Sequence, residues 1–373
     1  MKKRVKSILP ALGLITGTAI GAGFLGIPSV ISKSGFLIGF IELIILALFV
    51  LFLKLCLGEV ILRTRGNHQL TGYAEKYLGK TGKAIMFFAL IFGILSAMVA
   101  YLIAEGETLS YLIIGNTSYA LYFSLGFWLL IACLSYIGLK ALKKYDKIGL
   151  FIVLFLVLII FIIFFKTIKI ENLTYLNNSN IFLPIGVILF SFLAFSAVPE
   201  AFRTLKGNER ALKKTITLGI FIPFIVYVLF SLIVVGNFGL NIPEISVLVL
   251  GRFSSLLAVI TLFTAFFTSA IVISVMFRFD FKTGRFYGWI LACFVPLILF
   301  LVIYFFKLVS FVQLLSIAGI VSGGLTGICI LFMNVRAKKL GKRKPEYTIK
   351  LTMKKAIIIS ALFLAAVACA LIF

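Results

Sequence analysis

The sequence predicts an all-α integral membrane protein, one transmembrane domain with two interrupted spans. Three observations carry the prediction. Of 373 residues, 62% are hydrophobic and only 13% charged, with a mean hydropathy of +1.20, a composition outside the range of soluble domains. Eleven apolar segments match the length of a membrane-crossing helix, and no soluble domain lies between them. The first of these segments holds three glycines within seven residues, Gly17-Thr18-Ala19-Ile20-Gly21-Ala22-Gly23.

Span one covers about residues 8–31. Each glycine inside a helix costs about 1 kcal/mol relative to alanine. In lipid, freed backbone groups find no water, so a break persists only where protein buries it or where it lines a cavity. There a half-helix N-terminus presents N–H groups to an anion, and unwound carbonyls face a cation. Close packing through small residues is the alternative, since Gly17 and Gly21 have the GxxxG spacing.

Spans two to five cover about 36–61, 84–114, 120–139 and 147–165. Between spans two and three, Thr71-Gly72-Tyr73-Ala74-Glu75-Lys76-Tyr77 predicts a short amphipathic helix at the inner face. The outer loop from Lys166 to Asn180 carries two N-x-S/T patterns, at Asn172 and Asn177. Span six, about 183–202, contains Ser191, Ser196 and Pro199, and the proline removes an intrahelical hydrogen bond. Spans seven to eleven cover about 215–236, 254–277, 286–305, 308–333 and 353–373.

Spans one to five (about 8–165) and six to ten (about 183–333) are of similar length. An odd number of spans per half inserts the second half upside down, the inverted-repeat plan of many transporters. Span six then corresponds to span one and is expected to break near Phe192 to Ala197, with residues 353–373 as an extra helix.

The formal net charge of +24 follows topology rather than nucleic-acid binding. With the N-terminus inside, 30 of the 36 Lys and Arg residues lie on inner stretches and five on outer loops, the positive-inside asymmetry. The C-terminus is then outside. The largest cluster, Arg336 to Lys344, also suits anionic lipid. Lys2, Lys3, Arg4 and Lys6 resemble a signal-peptide start, but the apolar run is too long and lacks an A-x-A site, so retention is expected. All five cysteines fall inside spans without metal or redox spacing, and His68 is the one histidine, which argues against a histidine-built metal site.

Polar residues within spans are functional candidates. Glu105 in span three lies four residues from Tyr101, on the same helix face, so phenol and carboxyl together suit a substrate amine or a proton. Alternatively Glu105 is a structural partner or sits at the outer headgroups. Glu59, Lys54 and Glu200, nearer the inner ends of their spans, are expected to pair or to snorkel. In span eight, Thr268 and Ser269 either bond the preceding turn or offer hard oxygen ligands to a cation.

These residues together resemble the amino acid–polyamine–organocation superfamily with its LeuT-type five-plus-five inverted repeat. Residues Gly17 to Pro28 resemble its span-one signature, in the G-x-x-I-G-A-G-x-L-x-x-P form of the amino acid/auxin permeases and the bacterial tryptophan/tyrosine permeases. Ala100-Tyr101 and the following segment, and Thr268-Ser269 with Asp280, resemble further segments of the aromatic permeases. The resemblance implies that Gly21, Ala22 and Gly23 present amides to a substrate carboxylate, joined by Tyr101. It implies that Ser191, Ala194 and Phe195 line the side-chain pocket. The carbonyls of Gly17, Ile20 and Ala265 with the hydroxyls of Thr268 and Ser269 match the sodium site of sodium-coupled members. Two departures bear on substrate and ion. Span six reads Leu193-Ala194-Phe195-Ser196 where the aromatic permeases tend to have glycine and histidine, and Glu105 stands where span three is usually small.

The expectation is a symporter of the cytoplasmic membrane that imports a neutral or aromatic amino acid, coupled to H+ or Na+, with no organic cofactor. A channel would show repeated pore-lining polar residues. An intramembrane lipid-handling enzyme would show clustered acids, histidines or metal ligands. The charge pattern yields a direct test of topology: a single accessible cysteine at Asn177 is expected to react with a membrane-impermeant reagent applied outside, and one at Lys342 is not. The opposite labelling overturns both the orientation and the span count.

Overall fold

The computed structural model describes residues 8–137, 142–280 and 284–372, with side chains outside 142–150, 278–280 and 367–372. The described residues are 84% helical with no strands. In chain order the helices are α1 (Leu9–Ala19), α2 (Gly23–Ser34), α3 (Phe36–Arg63), α4 (Leu70–Ile114), α5 (Ala120–Ile137), α6 (Leu142–Phe164), α7 (Ile170–Thr174), α8 (Leu183–Phe192), α9 (Ala197–Thr204), α10 (Leu212–Phe238), α11 (Arg252–Asp280), α12 (Arg285–Phe306), α13 (Phe311–Leu340) and α14 (Met353–Ile372).

Eight membrane-length apolar helices are present among the described residues, with α8 and α9 together forming one of them. The bent pair α1–α2, folded by 50° at its break, makes nine. The chain is therefore a multi-pass membrane protein. The eleven spans expected from the sequence are not confirmed among the described residues. The fifth corresponds to α6, which is 23 residues long and whose side chains are described only from Phe151 onward. The eleventh corresponds to α14, which runs into residues whose side chains are not described.

Local chemistry sets the helix ends. The amphipathic helix expected at 71–77 forms the start of α4 and turns at Gly79, whose φ of 77° suits a residue without Cβ. Tyr73 and Tyr77 are buried there against the bundle. Helix α13 opens with a capping box: the Ser310 hydroxyl accepts from the Gln313 amide, and the Gln313 side chain accepts from the Ser310 amide. Pro199 lies in the first turn of α9, where its missing N–H would have lacked a helical partner. It marks the start of a half-helix, not a kink within one.

Helix α13 runs through the middle of the bundle and packs on α4, α8, α3 and α14. Small residues allow this approach. A Cβ on Gly319 would lie 2.1 Å from the Gly186 carbonyl oxygen of α8, and one on Gly93 of α4 would lie 2.4 Å from Ser322 Oγ. With no hydrophobic drive between helices in lipid, such close contact supplies much of the cohesion. At the end opposite the lysine-rich loops, the segment containing α7 is tied down. Asn172 Nδ2 and the Lys169 amide both donate to the Gly236 carbonyl, and the Asn177 amide donates to Ser34.

At the lysine-rich end, the connection from α13 to α14 is a strap bound across α3. The carboxylate of Glu59, fully buried, accepts from Arg63 Nε at 2.8 Å, Asn334 Nδ2 at 3.0 Å and the Ile349 amide at 2.8 Å. Tyr347 donates its hydroxyl to the Leu55 carbonyl and fills the space over Gly58. Burial pushes the Tyr347 phenol well above its usual range, so it remains a donor. Lys338 Nζ reaches the Ile349 and Leu351 carbonyls.

Of the three charged residues expected to pair or snorkel, Glu59 and Glu200 pair, the latter with Arg203 and Gln69. Lys54 does neither: it is fully buried, and its amine has no hydrogen-bond partner among the described residues. Its place inside the bundle, on a face turned from lipid, leaves the side chain no route to the headgroups.

Breaking a buried ion pair costs about 3–5 kcal/mol. Glu59→Ala is expected to release the strap and to speed tryptic cleavage after Lys342, Arg343 or Lys344 at least tenfold, read by mass spectrometry. Unchanged cleavage would show that Glu59 does not hold it.

Candidate functional site

The glycine run does interrupt the first span: α1 ends at Ala19 and α2 starts at Gly23. The first amides of a helix have no intrahelical partner, and the helix dipole adds partial positive charge there. The N-terminus of α2, formed by Ala22, Gly23 and Phe24, is thus suited to an anion such as a carboxylate. The second interruption falls at the matching place, residues 193–196 between α8 and α9. Ala194 has φ of +32°, a left-handed value disfavoured for any residue with a Cβ. The break carbonyls occupy the first amides of α9, with Ala197 donating to Ala194 and Val198 to Phe195. The two breaks therefore differ: the α2 end is the one disposed to take a ligand.

Broken spans pack on one another, α2 against α8 and α1 against α9. Contact is closest at Gly23, where an added Cβ would lie 2.3 Å from Ser191 Oγ and 2.9 Å from Ser191 Cα. Ser191 is buried and donates to Val187 in its own helix. Its side chain packs under Gly23. Ala194 is half-buried and Phe195 is buried in the break.

A residue absent from the sequence-based set joins the two breaks. Tyr227 of α10 sends its hydroxyl to the Ala19 carbonyl at 2.7 Å and to the Ser191 carbonyl at 2.8 Å, at the last turns of α1 and α8. Its ring lies 5.0 Å from that of Phe192. The available signal was a phenol within an apolar span, which must find a polar partner.

Tyr101 faces the first break: a Cβ on Gly21 would sit 3.6 Å from its hydroxyl. Gly21 has no positive φ, so what the position supplies is space beside Tyr101. Glu105 lies one turn further along α4 and is buried, with Oε2 unpartnered among the described residues. It lines a groove between α4, α5 and α11 rather than the break itself.

The residues matched to a sodium site lie on α1 and α11, whose main packing partners differ. Helix α1 packs on α10, α9 and α6, and α11 packs on α4, α12 and α6. Gly17 and Thr268 are exposed, while Ile20 is buried and Ala265 and Ser269 are half-buried. Thr261 and Thr264 bond the preceding turn, but Thr268 and Ser269 do not, so their hydroxyls remain free of helical bonds among the described residues. Those residues hold no group of three metal-ligating His, Cys, Asp or Glu side chains.

The glycine-broken first span falls within residues 4–248, which match the profile of the tryptophan/tyrosine permease family. The chain belongs to this family. It is a family of permeases, not of enzymes. Similar proteins include the "Tyrosine-specific transport system 1" of Haemophilus influenzae, 29% identical over 239 residues covering 62% of this chain and 57% of the relative. The "Glutamine transporter 2" of Aliivibrio fischeri is 24% identical, over 61% of this chain and 60% of its own length. The "Tryptophan-specific transport protein" of Haemophilus influenzae is 26% identical, over 64% and 60%. The match thus spans about 57–60% of the length of these relatives.

Two substitutions test the construction. Tyr227→Phe removes the phenol donor shared by the two carbonyls while keeping the ring; it is expected to weaken ligand affinity about tenfold, the effect of one lost buried hydrogen bond. Gly23→Ala is expected to abolish ligand binding, because backbone as well as side chain of Ser191 must move. Wild-type affinity in both variants would place the ligand elsewhere.

Proposed function

We propose that the permease is a secondary amino acid transporter with LeuT-type five-plus-five architecture and a C-terminal extra helix. It imports a neutral amino acid, an aromatic one in the first instance, across the cytoplasmic membrane by alternating access. The N-terminus lies inside and the C-terminus outside. The observation that carries the reading is the pair of breaks at residues 20–22 and 193–196, packed together and joined by Tyr227. The substrate carboxylate sits on the amides of Ala22 and Gly23 with the Tyr101 hydroxyl beside it, while Gly21, whose amide donates to the Ala19 carbonyl, leaves the space for it. Each such charge-assisted bond is worth roughly 1.5–3 kcal/mol. Residues Ala194 and Phe195 meet the substrate side chain. The tyrosine, tryptophan and glutamine transporters among its relatives support the substrate class.

For coupling, we favour a proton carried by Glu105, one turn from Tyr101 and out of solvent, because carboxyls inside membranes mark proton relays. Sodium is the second reading. It is favoured by the free hydroxyls of Thr268 and Ser269, and it requires α1 to close against α11 so that Gly17, Ile20 and Ala265 complete the oxygen shell.

Uptake into liposomes tests all of this. Saturable uptake with counterflow of a preloaded amino acid is expected of a transporter and not of a channel. Gly21→Val is expected to abolish binding, since the branched side chain fills the carboxylate's space, while Gly21→Ala retains it. Glu105→Gln is expected to keep exchange but lose accumulation under a pH gradient, because glutamine cannot load and release a proton. Accumulation that survives Glu105→Gln but loses sodium dependence in the Thr268→Ala, Ser269→Ala double variant would assign coupling to sodium.

A further inference from the structure

We infer that the groove between α4, α5 and α11 is a second binding site for a hydrophobic amine, an ammonium group on an aromatic body, apart from the amides of the first break although it shares Glu105 with the proposed coupling step. The groove encloses about 490 Å³, within the size range of small-molecule sites. Its walls are aromatic, with Tyr122, Phe123 and Phe127 from α5 and Phe263 from α11. Into this lining α4 places one carboxyl. Glu105 is 1% exposed, and its Oε2 has no hydrogen-bond partner among the described residues.

A carboxyl among apolar walls is costly unless a donor meets it. No basic side chain lines the groove, and the one other polar side chain in its lining is Tyr122, itself largely exposed. An ammonium group supplies the missing donors and the opposite charge. An aromatic lining also attracts a cation through the ring faces. The remaining apolar surface suits the ligand's ring body. The groove accordingly combines charge and shape for one ligand class.

Geometry separates it from the space between the breaks. Tyr101 and Glu105 are on the same side of α4, but Tyr101 meets Gly21, whereas Glu105 meets α5 and α11. An amine that lacks a carboxylate has nothing to offer the amides at the start of α2. Gly126 forms part of the groove wall, and a Cβ there would meet nothing within 4 Å. A larger side chain at 126 therefore fills the groove without displacing a neighbour at its Cβ.

The test uses the full chain, purified in detergent, with radiolabelled tryptamine as the probe and 3-methylindole as the same ring body without the ammonium group. Saturable tryptamine binding is expected, with 3-methylindole at least tenfold weaker. Glu105→Gln is expected to weaken tryptamine at least tenfold, the effect of one charge-assisted hydrogen bond. Gly126→Leu is expected to remove tryptamine binding by filling the groove, with both variants eluting as the wild type does in size-exclusion chromatography. Should Glu105→Gln not fold, Gly126→Leu and the 3-methylindole comparison decide. Gly21→Val is expected to lose amino acid binding and keep tryptamine. If Gly21→Val keeps both ligands, the groove stands and the proposed transport site falls. Absence of saturable tryptamine binding, equal affinity for 3-methylindole, full affinity in Gly126→Leu, or loss of tryptamine in Gly21→Val overturns the groove site.

Discussion

One hydroxyl proton serves two ends of broken helix. Every interruption of a helix in lipid leaves carbonyls without their usual amides. Tyr227 reaches the last turn of α1 and the last turn of α8 at once, and the helices on either side have to converge for it to do so. The contact between α2 and α8, and the approach of Gly23 to Ser191, follow from that convergence. A phenol has one proton to donate. The two carbonyls therefore share it, and a small displacement of either half-helix redistributes the bond without leaving both ends unserved.

A second constraint comes from the absence of hydrophobic drive between helices in lipid. Helix α13 meets it by backbone approach, with Gly319 against the α8 backbone and Ser322 against Gly93. The broken span α8–α9 has few helical hydrogen bonds with which to hold itself straight. Its first half lies on the unbroken α13 for support, so the rigidity of one helix makes the irregularity of its neighbour tolerable.

Much of this was legible in the sequence. Three glycines in seven residues marked the first break, and Ser191, Ser196 and Pro199 within one apolar segment marked the second. The short helix before span three was readable from its alternation of tyrosines and charges. The rest depended on partners distant along the chain. Nothing local to Tyr227 says that it touches Ala19, 208 residues away. Lys54 looked like a residue near a span end, yet which face of α3 turns inward is set by α10 and α8, not by the residues around it. Glu59 gave no sign of its bond to Ile349, 290 residues later. Thr268 and Ser269 were readable as oxygen donors, but whether α1 lies beside them depends on the arrangement of helices. The basic segment after α13 read as charge alone because its order comes from backbone bonds to α3.

That segment has a consequence for modularity. The strap closes on α3 through Glu59, Tyr347 and Lys338 before α14 begins. Its anchors belong to α3, α13 and the strap itself, so the body of the bundle is mechanically complete at Leu351. Helix α14 follows it, packing on α13 and α8 and stacking Phe363 on Phe49 of α3. The hydrogen bonds that hold the strap therefore involve no residue of that helix, so a change in α14 leaves every one of those donors and acceptors in place.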